Sequence, residues 1–459
     1  MLRVAWFSPL PPDPSGIASY SAEILPLLDS PDRGCSIDRF VDRPGGRIGA
    51  DLPGTRDMSG VFSAHDFVWK QQRAPYDLVV YQLGNAPYHD YMWAYLARYP
   101  GLVILHDVRL HHARARHLLN QQRFGDYRRE FRYNHPEAPE GVVEYAVEGL
   151  SGSIYYFWSM LRVVLCTARL VGVHNGRVAG DLREQYPGIR VDMIRMGVPD
   201  GRLQPGAAAA ARARLRRDLR IPHGVCVFMA FGRVTAEKRI EPVLRTLAAL
   251  IARGGGGHDA HLVLVGEADG FPSLAGLVAQ HRLGDRVHVT GHIADDRVAD
   301  YLAAADVCLC LRWPTAGETS ASWLRALAAA RPTVVTGLAH LADVPTLDAA
   351  LWQPSHRSRD PIAVSVDLLD EDEGLLAAMS RLAGDEALRS DLARAGHTYW
   401  SHEHSLELMA DDYRRVMAEA VARPAPFVDD LPPHFTDDYT SLAHRISQEM
   451  GVSLNFPSG

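Results

Sequence analysis

Ala230-Phe-Gly-Arg-Val-Thr-Ala-Glu-Lys-Arg239 is the stretch from which the fold is read. The apolar run 225–231 ahead of it has the composition of a buried parallel strand, and residues 240–252 behind it carry apolar positions at helical spacing. A strand that turns at Gly232 into a helix is one βα unit of an open α/β sheet, and such sheets bind ligands at these turns. Arg233 and Lys238, five residues apart, flank the turn. A planar guanidinium fork beside a mobile ammonium suits a ligand with two phosphates. Exposed cations after a strand are also common, so the stretch alone leaves an ordinary surface loop open.

The same rhythm runs outward in both directions. Upstream, residues 2–7 read as a strand, Ser8-Pro-Leu-Pro-Pro-Asp-Pro-Ser-Gly16 as a turn and 17–28 as a helix. This first βα unit lacks the G-x-G-x-x-G fingerprint, as does the rest of the chain, which counts against a nicotinamide or flavin dinucleotide. Gly16 would let backbone approach a ligand, although a plain Pro/Gly turn accounts for it equally well. Further strands at 77–83, 102–105 and 170–173 end in polar residues, Gly84-Asn85, His106-Asp107 and His174-Asn175. Polar groups at strand carboxyl ends face the crevice of such a sheet. His106 beside Asp107 is a candidate hydrogen-bonding pair, and a satisfied structural histidine is the alternative.

Gln204-Pro-Gly-Ala-Ala-Ala-Ala reads as the linker, dividing a first α/β unit, 1–203, from a second, 204–400. Residues 401–422 read as a final amphipathic helix packing back toward the first unit. Residues 423–459 form a tail with one expected helix, 439–450. In the second unit the glycine run 254–257 precedes a strand and so reads as a plain loop. Arg312-Trp-Pro-Thr-Ala-Gly-Glu-Thr-Ser-Ala-Ser322 follows the strand 307–311. Thr319, Ser320 and Ser322 stand where N-cap hydroxyls belong, and the helix start behind them is a natural anion site. Glu318 would repel phosphate there, so sugar hydroxyls are its better partner.

Bulk properties set the boundaries. A chain of 459 residues exceeds one ordinary core, and 47% apolar with 22% charged residues is globular. A formal charge of −7 argues against nucleic acid. Five scattered cysteines form neither a disulfide framework nor a four-cysteine metal site, so a reducing cytoplasm fits. The strand at 2–7 shows no signal-peptide order. The apolar stretch 154–173 carries Arg162 and Arg169 and reads as a buried helix leading into a strand rather than a membrane span. Asp295-Asp296 reads as helix capping rather than a metal site. The most basic stretch, 109–135, could meet an anionic acceptor or lipid headgroups, but a solvated helical face describes it at least as well.

Two Rossmann-like halves, the Ser15-Gly16 loop, Gly232-Arg233 with Lys238, and the Gly317-Glu318-Thr319-Ser320 helix start together resemble a GT-B glycosyltransferase of family 4 over residues 1–422. The resemblance implies a retaining, metal-independent enzyme, with no cofactor beyond a nucleotide-diphosphate sugar donor. It implies that Arg233 and Lys238 bind the diphosphate and stabilise its departure, and that Glu318 holds donor-sugar hydroxyls. Thr319 and Ser320, following Gly317, would donate to phosphate, Gly232 would turn the strand toward it, His106 would contact the sugar, and Gly16 would admit the diphosphate or acceptor. The implied acceptor is a saccharide or lipid-linked saccharide, and the implied setting is polysaccharide biosynthesis in the cytoplasm or on the inner membrane face. The family's second glutamate, which commonly meets the ribose, is missing: Arg325 aligns there, or Ala326 by strict counting. A non-catalytic sugar-nucleotide-binding subunit and an epimerase or hydrolase on the same fold remain as alternatives.

Overall fold

The structure is a computed structural model that describes residues 1–30, 32, 34–42, 60–150, 152–253, 259–437 and 440–451. It contains two seven-stranded sheets. The first holds β1 (Leu2–Phe7), β2 (Cys35–Val41), β3 (Val61–Ser63), β4 (Leu78–Leu83), β5 (Leu102–Leu105), β6 (Leu170–Val173) and β7 (Val191–Met193), in the order β3-β2-β1-β4-β5-β6-β7. The second holds β8 (Cys226–Phe231), β9 (Ala260–Val265), β10 (Val287–Val289), β11 (Val307–Cys310), β12 (Thr333–Thr336), β13 (Thr346–Asp348) and β14 (Ala363–Val366), in the order β10-β9-β8-β11-β12-β14-β13. Every pairing among these strands is parallel.

Parallel sheets need helices on both faces, which is why the central strands are continuous apolar runs. β4, β5 and β9 are buried at every position. Strand order reverses beside β1 in one sheet and beside β8 in the other, so the two loops singled out in the sequence both leave a topological switch point.

The chain from residue 371 to 422 is helical in three pieces, Glu371–Gly384, Glu386–Glu403 and Leu406–Ala422. The final helix expected over 401–422 is Leu406–Ala422: residues 401–403 finish the helix before it, and Ser405 caps the new one, its hydroxyl accepting from Leu408 N–H. That helix lies on the first unit: Tyr413 packs on Trp6 with ring centroids 5.4 Å apart, and Asp412 takes a forked pair from Arg195 at 2.7 and 3.0 Å.

Several readings of the sequence change. The presumed linker at 204–210 is the first turns of a helix, Pro205–Asp218. Proline at the first helical position is pre-set for a helix and alanine is its best former, so the run continues the Arg-rich helix. The stretch 154–173 is not one helix. It breaks into Ile154–Phe157 and Arg162–Thr167, with Met160 at φ +55 between them and Phe157 78% exposed. The glycine run 254–257 lies outside the described residues, and the tail helix is Thr440–Glu449.

A candidate functional site between the two sheets

Beyond β8 the backbone turns at Gly232, φ +94, where a Cβ would stand 2.7 Å from Lys238 Nζ. Gly266, at the end of β9 with φ +147, presses on it so closely that a Cβ there would lie 2.4 Å from Gly232 O. Both positions therefore require glycine. Lys238 reaches back from the turn Ala236–Lys238 and donates to Phe231 O at 2.5 Å. Burial, helped by the nearby Arg312 charge, holds its ammonium down to about 7. Arg233 points outward and forks onto Asp269 at 3.0 and 2.8 Å. The two cations thus differ in character, one half-buried and easily neutralised, the other exposed and permanently charged.

The loop after β11 supplies the neighbouring wall. Glu318 is turned inward: Oε2 accepts from Thr315 Oγ1 and Ala316 N–H, both at 2.8 Å, and Oε1 pairs with Arg312 Nε at 2.8 Å. Ser320 caps the helix Ala321–Ala328, its hydroxyl accepting from Trp323 N–H at 3.3 Å. That helix start lies against the β8 turn, since a Cβ on Gly232 would be 3.6 Å from Ser322 Oγ. Gly232, Lys238, Arg312, Glu318 and Ser320 therefore converge at the carboxyl edge beside the switch point. Gly317, φ +76, does something else: a Cβ there would stand 2.2 Å from Val108 Cγ2, so its glycine lets the first unit come close.

That first unit forms the opposing wall. Val108 N–H donates to Ala316 O at 2.8 Å, and Asn175 Nδ2 to His340 O at 2.9 Å. Gly16 opens the helix Gly16–Leu28 behind the capping Ser15, and the space over its Cα is open. Asp107 is oriented by Asn85 N–H, 2.7 Å from Oδ2. Burial first and the Glu318 charge second raise its carboxyl to about 6. His106 is 7% exposed, and both its ring nitrogens face protein partners, Gln82 at 2.8 Å and His174 at 3.3 Å. What it offers the cleft, alongside Gly317 and Thr319, is the remainder of the ring.

Sequence reasoning missed Gln82, Tyr156 and His340. Tyr156 is pushed up to about 12 by burial, with the Glu237 and Glu318 charges adding, so this residue of the short helix Ile154–Phe157 lies near the second unit. No local pattern marks these residues; only the fold assembles them.

The basic stretch finds its partners internally. Arg114 is buried against Glu130 at 2.6 and 2.7 Å, Arg116 meets Asp90 at 2.7 Å, Arg128 meets Glu144 at 2.6 Å, and Arg123 and Arg129 share Asp126. Among the described residues no three His, Cys, Asp or Glu are grouped to hold a metal ion, and no helix is long and apolar enough to cross a membrane.

Two parallel-sheet units with their carboxyl edges facing, followed by a helical extension, constitute the GT-B fold. Residues 225–363 match the family model described as Glycosyl transferases group 1. Among solved structures, the chain is similar to a sucrose-phosphate synthase from Thermosynechococcus elongatus, at 17% identity and TM-score 0.61 over 91% of this chain and 100% of that one. It is similar to HepE of Anabaena in complex with UDP and glucose, at 15% identity and TM-score 0.59 over 91% and 100% of the two chains. WaaG, a glycosyltransferase involved in lipopolysaccharide biosynthesis, aligns at 15% identity and TM-score 0.56 over 90% and 99%. No curated protein sequence matches.

Proposed function

We propose that the chain is a retaining glycosyltransferase that moves a sugar from a nucleotide-diphosphate donor to a hydroxyl acceptor. The observation that carries this reading is the convergence of Lys238, Arg312 and a capped helix start on the Gly232 turn, with Arg233 beside them. In the reaction the bond from anomeric carbon to phosphate oxygen breaks and the diphosphate leaves with the electron pair. The acceptor oxygen bonds to that carbon, and its proton passes to the departing phosphate. Arg233 and Lys238 are the cations that stabilise the developing charge, in place of a divalent ion. Glu318, Thr319 and Ser320 hold sugar and phosphate.

HepE was solved with UDP and glucose, which supports a nucleotide sugar as partner. Donor binding belongs to the second unit and acceptor binding to the first. The involvement of WaaG in lipopolysaccharide biosynthesis supports a saccharide or lipid-linked acceptor, which this chain would meet at the inner membrane face. The paired arginines of 109–135 favour recognition of that acceptor by its sugar rather than through a broad basic surface. A non-catalytic binding subunit is the second reading, favoured by the missing second glutamate, whose place falls at Arg325 or, by strict counting, Ala326.

A screen of nucleotide sugars by thermal shift and mass-resolved binding tests the proposal, with Arg233→Ala and Lys238→Ala alongside the parent. The preferred donor should lose affinity in both variants. Equal affinity in all three proteins overturns the diphosphate assignment. Binding without transfer to any of a saccharide panel supports the second reading, and release of free sugar without acceptor supports a hydrolase.

A further inference from the structure

A buried chain of side chains joins the last long helix to the cleft. Tyr20 and Tyr413 hydroxyls stand 2.7 Å apart, Tyr413 Oη is 3.1 Å from Gln82 Nε2, and Gln82 Oε1 is 2.8 Å from His106 Nε2. His106 Nδ1 lies 3.3 Å from His174 Nε2, and His174 Nδ1 ends the chain 2.9 Å from Ile194 O. All five side chains belong to residues no more than 7% exposed.

Proton counting along this chain gives few choices. Ile194 O only accepts, so His174 Nδ1 carries a proton. A neutral His174 then has a bare Nε2, which accepts from His106 Nδ1–H. A neutral His106 in turn has a bare Nε2, and the amide end that meets it must be the NH2. The two ends of an amide exchange by a half turn, so the orientation follows from the protons. With the Gln82 oxygen kept toward His106 instead, the two rings must share one extra proton, and one of them is an imidazolium.

Among the described residues no carboxylate faces the pair to stabilise that cation. Burial holds His174 down to about 4 and His106 well below the ordinary histidine value. The titratable groups that face the pair are His89 and His404, both also pressed down by burial, and the phenols of Tyr20 and Tyr413. His89 and His404 donate from Nδ1 to the carbonyls of Gln82 and Met196, the same tautomer choice that Ile194 imposes on His174.

We propose that Gln82 and Tyr413 are positioning residues: the protons counted from Ile194 O turn the Gln82 NH2 toward His106, and Tyr413, donating to the amide oxygen, holds it there, which locks His106 as the neutral Nδ1–H tautomer. His106 then meets a ligand through its ring carbons and exchanges no proton during the reaction. Placing His106 at a reacting ligand rests on the transferase reading above, whereas the tautomer is measured without any substrate.

The test is a long-range proton–nitrogen correlation spectrum of the full chain labelled with 15N-histidine, with His106→Gln identifying the His106 signals. The expected pattern is a protonated Nδ1 and a bare Nε2, unchanged from about pH 5.5 to about pH 8.5. In Gln82→Glu, the carboxylate can only accept, so His106 should gain a proton at Nε2. Tyr413→Phe should release the amide and mix the two tautomers. A protonated Nε2 in the parent at neutral pH overturns the proposal, whether or not the variants fold. An unchanged pattern in Tyr413→Phe removes Tyr413 from the role. The nucleotide-sugar screen decides the transferase reading separately.

Discussion

Arg233 and Asp269 form a two-pronged ion pair, Nε to Oδ1 at 3.0 Å and Nη2 to Oδ2 at 2.8 Å. On the proposed function a carboxylate thus sits on the fork that a diphosphate would take, and the ligand would have to displace it. Because the pair is exposed, the competition is weak, and Asp269→Asn should tighten binding of a nucleoside diphosphate such as UDP by about twofold to fivefold. Titration calorimetry at low salt checks this. The gain should vanish in an Arg233→Ala background; a gain that persists there means Asp269 acts through something else.

Lys238 gives the site a pH dependence. Its ammonium is held down to about 7, so in the folded protein it is largely neutral at pH 8, whereas in the unfolded chain it remains charged up to the ordinary lysine value. Between those two values the unfolded state binds more protons, and stability should rise with pH. A diphosphate beside Nζ favours the charged form, so binding at about pH 8 should draw in a proton. Calorimetry in two buffers of different ionisation enthalpy measures that uptake, and Lys238→Met should abolish it.

Glu130 is fully buried, with Arg114 forked onto it and His434 Nε2 at 3.1 Å, and these partners hold its carboxyl down to about 2. The stabilisation is complete above the ordinary glutamate value and lost as pH falls toward 2. Glu130→Gln leaves Arg114 buried without a counter-charge and should cost about 3–5 kcal/mol in denaturant unfolding. Replacing both, Arg114→Met with Glu130→Leu, should recover most of it. The same contact explains what the tail does here: residues 431–437 lie on the first unit, with Leu431 and Phe435 buried.

The legible parts of this molecule were the local ones. Apolar runs gave the strands, Gly232 and the serine cap gave the two turns, and both fall beside switch points. Partners distant in sequence were not legible. Gln82 looks like one polar residue in a strand, and Tyr413, its partner, lies 331 positions away. The arginines of 109–135 read as a basic surface because which carboxylate answers which arginine is set by the fold: Arg114 meets Glu130, sixteen positions on, and Arg116 and Arg128 meet Asp90 and Glu144 outside the stretch. Gln204-Pro-Gly misread as a linker because the same residues that break a helix interior begin one.

Arg325 is one of the two positions, with Ala326 by strict counting, that fall where the resembled family would carry its second glutamate, and Arg325 Nη2 reaches Glu23 Oε1 at 2.5 Å across the two units. Burial raises the Glu23 carboxyl, and the Arg325 guanidinium opposes that rise. Ser19, one turn earlier on the same helix, donates to Asp295 Oδ2 at 3.0 Å, so this helix face is already held by the second unit. Placing a glutamate at this position with Arg325→Glu would set two carboxylates against each other, with Asp295 adding a third charge nearby. The expected result is a larger radius of gyration in X-ray scattering and no tighter binding of nucleoside diphosphate. Reversing the pair, Glu23→Arg with Arg325→Glu, should bring the radius back toward the parent value. If Arg325→Glu instead leaves the radius unchanged and tightens nucleotide binding, then the position serves the ribose after all and the pair with Glu23 is incidental.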